Sequence, residues 1–326
     1  MEMGAVERAL GEALAPLPGS PQKLLRELLE NRGKMLRPRL LVLCAVLTGG
    51  ERIKENEVLY RTAAAVEMIH TASLVHDDII DNASCRRGRP TLHLLRGRKA
   101  AILAGDLLLA RAFALLSEKG HEAGPLRLMA RSVALLCRGE LCQAERRHRW
   151  DLSERQYYRI IHLKTAQFIA SCCEAGGWIA GATAGERRSL RQYGLNLGQA
   201  FQLVDDLADY SEAPLQGGKP AGSDLKQGLA TLPLIHLLET RPRYRQMLRA
   251  ASPELPPALL ELLRRVVGEN GSLDYTLAAA RCSKEQALRA LQPFPDGAAR
   301  QALAGAAAAV TGPVPARPDP EAAPPG

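Results

Sequence analysis

Apolar residues recur at three- and four-residue spacing along nearly the whole chain, and strict alternation is scarce. That periodicity predicts an all-α protein. It places helices over about 57–82, 99–118, 124–148, 153–181, 186–210 and 232–240, with several more after 252. Pro38 is expected to open a helix through Arg39–Leu47, and Pro233 suits a first helical turn. The stretch Glu212–Gly222, with Gly217, Gly218, Pro220 and Gly222, reads as a loop. No linker divides the chain, so residues 1–310 are expected to form one helical domain. Residues 311–326 are too proline-rich to pack and read as a disordered tail. The longest apolar runs, such as Leu40–Leu47, fall far short of the ~20 residues of a membrane span.

Two polar interruptions stand out against this apolar pattern. Asp77, Asp78 and Asp81 form one D-D-x-x-D cluster; Asp205, Asp206 and Asp209 form another. Residues i and i+4 share a helix face, so Asp77 with Asp81, and Asp205 with Asp209, are expected to form carboxylate pairs. A D-x-x-x-D pair is ordinarily solvated surface. These sit beside Leu74, Val75, Ile79 and Ile80, and beside Leu203, Val204 and Leu207, where unpaired charge is expensive. Like charges that close repel unless a cation lies between them, and carboxylate oxygens suit Mg²⁺, which shares its shell with waters and substrate phosphates. Two such clusters facing across a helix bundle would hold a metal-bound diphosphate.

Charge points the same way. The 326 residues carry 43 Lys and Arg against 35 Asp and Glu, a net charge of +8 that favours anionic partners. Aromatic residues make up only 4%, too few for base-stacking platforms, so small phosphorylated molecules fit better than nucleic acid. The seven cysteines show no C-x-x-C spacing and are read as buried, reduced thiols of a cytosolic protein. No signal peptide is indicated at the N-terminus.

Candidate anion-binding cations lie near the aspartates. Lys34 and Arg37 precede a helix, whose free N–H groups and dipole favour a phosphate. Arg86 and Arg87 follow the first cluster by one turn, and Arg binds phosphate oxygens through paired planar donors. Lys164 and Thr165 stand mid-helix, Lys219 lies on the loop after the second cluster, and His70 lies two turns before Asp77 on the same face.

Taken together these segments resemble the trans-isoprenyl (polyprenyl) diphosphate synthases. The matching runs are Gly33-Lys34-x-x-Arg37-Pro38, His70 through Asp81, Arg86-Arg87-Gly88-x-Pro90-Thr91, Gly105-Asp106, Lys164-Thr165-Ala166, Phe201-Gln202 through Asp209, and Gly218-Lys219-Pro220 through Leu225 followed by Thr231-Leu232-Pro233. They occur in the family's order over roughly residues 20–240, and more narrowly resemble the catalytic subunit of heptaprenyl diphosphate synthases. The resemblance implies a helical bundle around a deep central cavity, the isoprenoid synthase type. It implies that two or three Mg²⁺ ions, held by Asp77, Asp81, Asp205 and Asp209, grip the diphosphate of an allylic substrate such as farnesyl diphosphate. Ionisation, attack by isopentenyl diphosphate and loss of a proton lengthen the chain by five carbons. All six aspartates and Lys164 would be catalytic. Lys34, Arg37, His70 and Arg87 would bind isopentenyl diphosphate; Arg86, Lys164, Thr165, Gln202 and Lys219 would hold the allylic diphosphate or flank the cation. Ala72 and Ser73, both small, would leave the tail passage open and give a product of C30–C40, with C35 favoured, for quinone side chains. A cytoplasmic enzyme is implied, as a homodimer or with a small helper subunit, with peripheral membrane contact for product release. Two departures are visible: Leu229 stands where much of the family has a Lys after the Gly, and the chain lacks the family's common basic ending.

Other readings explain less. A shorter-chain synthase such as a geranylgeranyl type would keep the same motifs. An HD-type metal phosphohydrolase could use His70, His76 and Asp77, but has no use for the second cluster. A non-catalytic partner subunit could afford to lose aspartates, and all six are here.

Overall fold

A computed structural model describes residues 3–30, 33–118, 120, 123–210, 222–251 and 255–310. Lys219 and the 311–326 tail therefore lie outside the described residues. The chain folds into helices α1 (Met3–Leu14), α2 (Ser20–Glu30), α3 (Leu36–Gly49) and α4 (Glu57–Ile80). A hairpin of β1 (Cys85–Arg86) and β2 (Arg89–Pro90) leads to α5 (Leu92–Arg96), α6 (Arg98–Leu116) and α7 (Ala123–Ala144). There follow α8 (Glu154–Ile161), a π-helical turn (His162–Ala166), α9 (Gln167–Ile179) and α10 (Ala184–Ala208). The remainder is α11 (Ser223–Lys226), α12 (Leu232–Thr240), α13 (Pro242–Ala250), α14 (Pro257–Glu269), α15 (Ser272–Ala290) and α16 (Ala298–Val310).

Local chemistry sets the ends of the site-bearing helices. Asn56 caps α4 by accepting from Val58 N–H at 2.9 Å. Thr183 and Glu186 form a capping box on α10, as Ser153 and Gln156 do on α8. Pro38 is tolerated in the first turn of α3, where its missing N–H has no helical partner to lose. That helix begins at Leu36, earlier than the sequence suggested, so Arg37 lies inside it and not on the preceding loop. The helix expected through residue 181 is broken by the π turn, and the one expected to 148 stops at Ala144.

α4 is buried on nearly every side. Its small residues Ala63, Ala64 and Ala65 let neighbours approach, and Val66, Met68 and Ile69 fill the space between them. Each large apolar side chain so buried contributes roughly 1.5–3 kcal/mol. One apolar cluster gathers α1, α3, α4 and α6; a second gathers α8, α12 and α14; a third joins α3, α9, α10, α15 and α16. The buried Tyr193 hydroxyl donates to Leu303 O at 2.8 Å and ties α10 to α16. The expectation for the cysteines holds only in part. All seven are free thiols, but Cys85, Cys137 and Cys282 are exposed and Cys142 is half-buried, because they fall on outward positions of their elements. No described helix is long and apolar enough to cross a membrane.

Candidate active site

Both aspartate triads fall at the C-terminal ends of their helices, α4 and α10, with Asp81 and Asp209 as the capping residues. The helix macrodipole is negative there and disfavours carboxylates. Six acids in the wrong place for stability call for cations. The two helix ends face one cavity of about 210 Å³, lined by Asp77 and Asp81 from one side and Asp205 and Asp206 from the other. Arg86, Lys164 and Gln202 line it too.

The three aspartates of each triad do different things. Asp78 is 6% exposed, and its Oδ1 accepts from Arg86 Nε at 2.7 Å, with Arg86 Nη2 also at 2.7 Å. Burial raises its pKa, against the pull of Arg86. Asp81 pairs with Arg147 Nη2 at 2.6 Å. Asp77 is pushed up to about 7, first by burial and then by Glu140, with Asp81 adding to the effect.

In the second triad, Asp205 lines the cavity, whereas Asp206 is 3% exposed and bonded from beneath. Tyr157 OH donates to it at 2.5 Å and Gln202 Nε2 at 2.8 Å. Thr165 Oγ1 in turn donates to Gln202 Oε1 at 2.8 Å. Burial, then Asp224, holds Asp206 well above the ordinary carboxylate range, and the Tyr157 and Gln202 bonds oppose that. Asp209 does not share the cavity with Asp205, as the i, i+4 spacing led us to expect. It turns away to accept from Ser223 N at 2.8 Å, Ser223 Oγ at 2.9 Å and Asp224 N at 3.1 Å. Asp209 thereby caps α11, and Asp224 lines the cavity in its place. A buried carboxylate offered three donors at the start of α11 satisfies them before it faces solvent.

Lys164 and Thr165 are delivered by the π turn, a local irregularity frequent at functional sites. Lys164 Nζ lies 2.5 Å from Glu140 Oε1. Burial would lower its pKa, but Glu140, Asp77 and Asp81 outweigh it and keep the ammonium charged.

The other predicted cations form a second group. Arg37 Nη1 donates to His70 Nε2 at 2.9 Å. Burial, then Arg37, Arg87 and Arg86, pushes His70 well below its ordinary pKa. The imidazole is neutral, and since arginine only donates, its proton sits on Nδ1. The guanidinium of Arg87 lies over Gly33, and Lys34 stands exposed beside it on the segment before α3. The β1–β2 hairpin explains how adjacent arginines reach different places. Its two-residue loop, Arg87 and Gly88, has φ of 53° and 75°, the positive values that tight hairpin turns require. Arg86 is thereby turned to Asp78 and the cavity, Arg87 to Gly33. Ala72 is fully buried in the α4 core, and Ser73 bonds back to His70 O at 2.8 Å; neither lines the cavity.

Sequence reasoning missed Tyr157, Glu140, Arg146, Arg147 and Asp224. Tyr157 and Glu140 sit at positions that an amphipathic helix ordinarily gives to packing or solvent. Asp224 was part of a motif but overlooked in favour of the louder D-D-x-x-D.

The donor set suits Mg²⁺: hard carboxylate oxygens, gathered against both mutual repulsion and the helix dipoles. Among the described residues no group of three His, Cys, Asp or Glu converges on one ion position. An ion held by Asp77 and Asp81, or by Asp205, would complete its shell with water and diphosphate oxygens.

Residues 20–256 match the family model for polyprenyl synthetase. The octaprenyl diphosphate synthase of Escherichia coli is 36% identical over 94% of each chain. Heptaprenyl diphosphate synthase component 2 of Geobacillus stearothermophilus is 34% identical, covering 93% of this chain and 92% of that one. The crystal structure of a polyprenyl synthase from Caulobacter crescentus, complexed with calcium and isoprenyl diphosphate, superposes with a TM-score of 0.86 at 37% identity, covering 95% of this chain and 94% of that one. Other relatives are named as short-chain and nonaprenyl synthases. With two helix-terminal aspartate triads on one cavity and a match along almost its whole length, the chain belongs to the polyprenyl synthetase family and is a prenyltransferase, a trans-polyprenyl diphosphate synthase of the all-α isoprenoid synthase fold.

Proposed function

We propose that the protein extends farnesyl diphosphate with successive isopentenyl diphosphates to a product of C30–C40, heptaprenyl diphosphate being the length favoured, for quinone side chains. The observation that carries the reading is the segregation of cations. Arg86 and Lys164 line the cavity shared by the triads, whereas Arg37 and His70 bond each other outside it. The allylic diphosphate occupies the first place, with Thr165 and Gln202 flanking the nascent cation; Lys219, outside the described residues, is assigned to the same diphosphate from the sequence alone. Isopentenyl diphosphate occupies the second, bound by Lys34, Arg37, His70 and Arg87. The allylic C–O bond breaks with its electron pair on the diphosphate, the alkene of isopentenyl diphosphate bonds the cation, and a proton leaves. Arg86 and Lys164 hold the departing diphosphate in a site of low dielectric, where fixed charges act most strongly. Mg²⁺, when bound, supplies further positive charge against the leaving group. The neutral His70 with its proton on Nδ1 serves as a hydrogen-bond donor and not as a second charge.

Leu94, Leu95, Ile102 and Leu103 expose between 44% and 62% of their surface on α5 and α6. A second chain, either a copy or a small helper subunit, would cover that face. One experiment addresses activity, length and subunit need. The chain is purified alone and given farnesyl diphosphate, isopentenyl diphosphate and Mg²⁺, and the dephosphorylated products are separated by chromatography. A ladder ending at C30–C40, abolished in Asp77→Ala, is expected. Products ending at C20 would overturn the length, and turnover surviving in Asp77→Ala with EDTA would overturn the metal reading.

A further inference from the structure

Among the described residues, three cationic side chains line the cavity between the triads: Arg86, Lys164 and Arg146. The first two are engaged, with Asp78 and Glu140. Arg146, half-buried, has no side-chain hydrogen bond or ion pair among the described residues. A guanidinium partly withdrawn from water without a partner bears a desolvation cost that an anionic ligand would offset. Leu229 lines the same cavity. It occupies the position where much of the family has a lysine, so here an apolar side chain stands in place of that cation.

The turn that carries Arg146 is fastened on both sides. The chain leaves α7 with Arg146 N donating to Gln143 O at 3.0 Å. Arg147 then pairs with Asp81 of the first triad at 2.6 Å. His148 adopts a left-handed φ of 60°, and its N–H donates to Gly228 O at 2.8 Å. The His148 ring packs on Gly228 so closely that a Cβ there would come within 2.5 Å of it. Gly228 itself has φ of 74°, so only glycine fits on both counts. The ring also meets the buried Trp150 edge-on at 6.1 Å. Arg146 is thus held between an aspartate of one triad and the residue preceding Leu229. A helix C-terminus attracts basic side chains through its dipole alone. That effect accounts for the run Arg146–Arg149 but not for a side chain lining the cavity, nor for the fastening to Gly228.

We infer that Arg146 binds the allylic diphosphate and replaces, from the adjoining α7 turn, the cation that Leu229 does not supply. The inference rests on the proposed function for the identity of the ligand. Its test uses the full chain, Mg²⁺ and the non-ionising thiolo analogue of farnesyl diphosphate, with affinity read by calorimetry, and KM values for both substrates from steady-state kinetics. Arg146→Gln should weaken the analogue roughly 10- to 100-fold, the loss of one charge-assisted contact, and leave KM for isopentenyl diphosphate within about threefold. Arg146→Lys should retain most of the affinity, and Leu229→Lys should restore it in the Arg146→Gln background. Unchanged affinity in Arg146→Gln, an equal loss for both substrates, or no restoration by Leu229→Lys would overturn the assignment while wild-type binding leaves the proposed function standing. A wild-type chain that binds no allylic analogue would overturn both.

Discussion

Replacing Tyr157 by Phe removes one oxygen from beneath the second triad and leaves the ring in place. Tyr157 is 3% exposed, so no water stands ready to take over its bond to Asp206. Among the described residues Gln202 is the remaining side-chain donor, and it must also hold Thr165. A hydrogen bond to a charged group contributes about 1.5–3 kcal/mol, one between neutral groups about 0.5–1.5. If Asp206 works ionised, kcat/KM should fall roughly 10- to 150-fold at alkaline pH by the first figure alone. Burial already holds the Asp206 pKa well above its unfolded value, and the Tyr157 bond opposes that shift. Removing the bond raises the pKa further, so the carboxyl keeps its proton to higher pH. Activity should therefore fall more at lower pH than at higher pH. Stability moves oppositely. Below the folded pKa the lost bond is neutral; above it a buried carboxylate is left with one donor fewer, so the destabilisation should grow with pH. Steady-state kinetics and urea unfolding from pH 6 to 9 measure both. A loss under threefold that is flat with pH would refute the account of Asp206 as an ionised, positioning carboxylate.

Asp77 should make the metal-free protein more stable in acid: its folded pKa of about 7 exceeds the ordinary carboxylate value of 3.8, so stability falls as pH rises through that window; melting temperatures should show the slope in wild type, lose it in Asp77→Asn, and lose it with saturating Mg²⁺. Asp209→Asn should loosen α11 and cost about 1–3 kcal/mol of stability, with a smaller change in the apparent Mg²⁺ constant than Asp205→Asn produces. Ser73→Phe should shorten the product, because Ser73 shares a helix face with Asp77 and is half-buried; it is a cleaner probe than Ala72→Phe, since Ala72 has no room for a ring. Mass spectrometry of dephosphorylated products decides it, and an unchanged length would place the tail on another path.

The helices and the two triads were legible in the sequence because periodicity and clustered charge are local signals. Asp77 and Asp81 line the cavity, as one helix face predicts, because α4 simply ends there. Asp209 escaped the same logic because its partners, Ser223 and Asp224, lie 14 and 15 residues further along the chain, beyond the reach of helical periodicity. The π turn was hidden for a different reason: it inserts a residue into a helix whose apolar spacing stays helical on both sides. Arg146 was passed over because a run of basic residues ordinarily reads as solvated surface. Only the meeting of the α7 turn with Gly228 gives it a direction.

The β1–β2 hairpin also fixes a distance. Arg86 and Arg87 are consecutive, yet one is committed to the allylic side and the other to the Gly33 side, because a two-residue turn leaves no freedom between them. On the proposed assignment, the spacing of the two diphosphates is tied to this covalent turn as well as to helix packing. A single residue added to the turn would change it, by rotating one arginine out of its place while the other stayed. Evolution within this architecture is free to vary the floor of the cavity, and with it the product, without disturbing the gauge at its mouth.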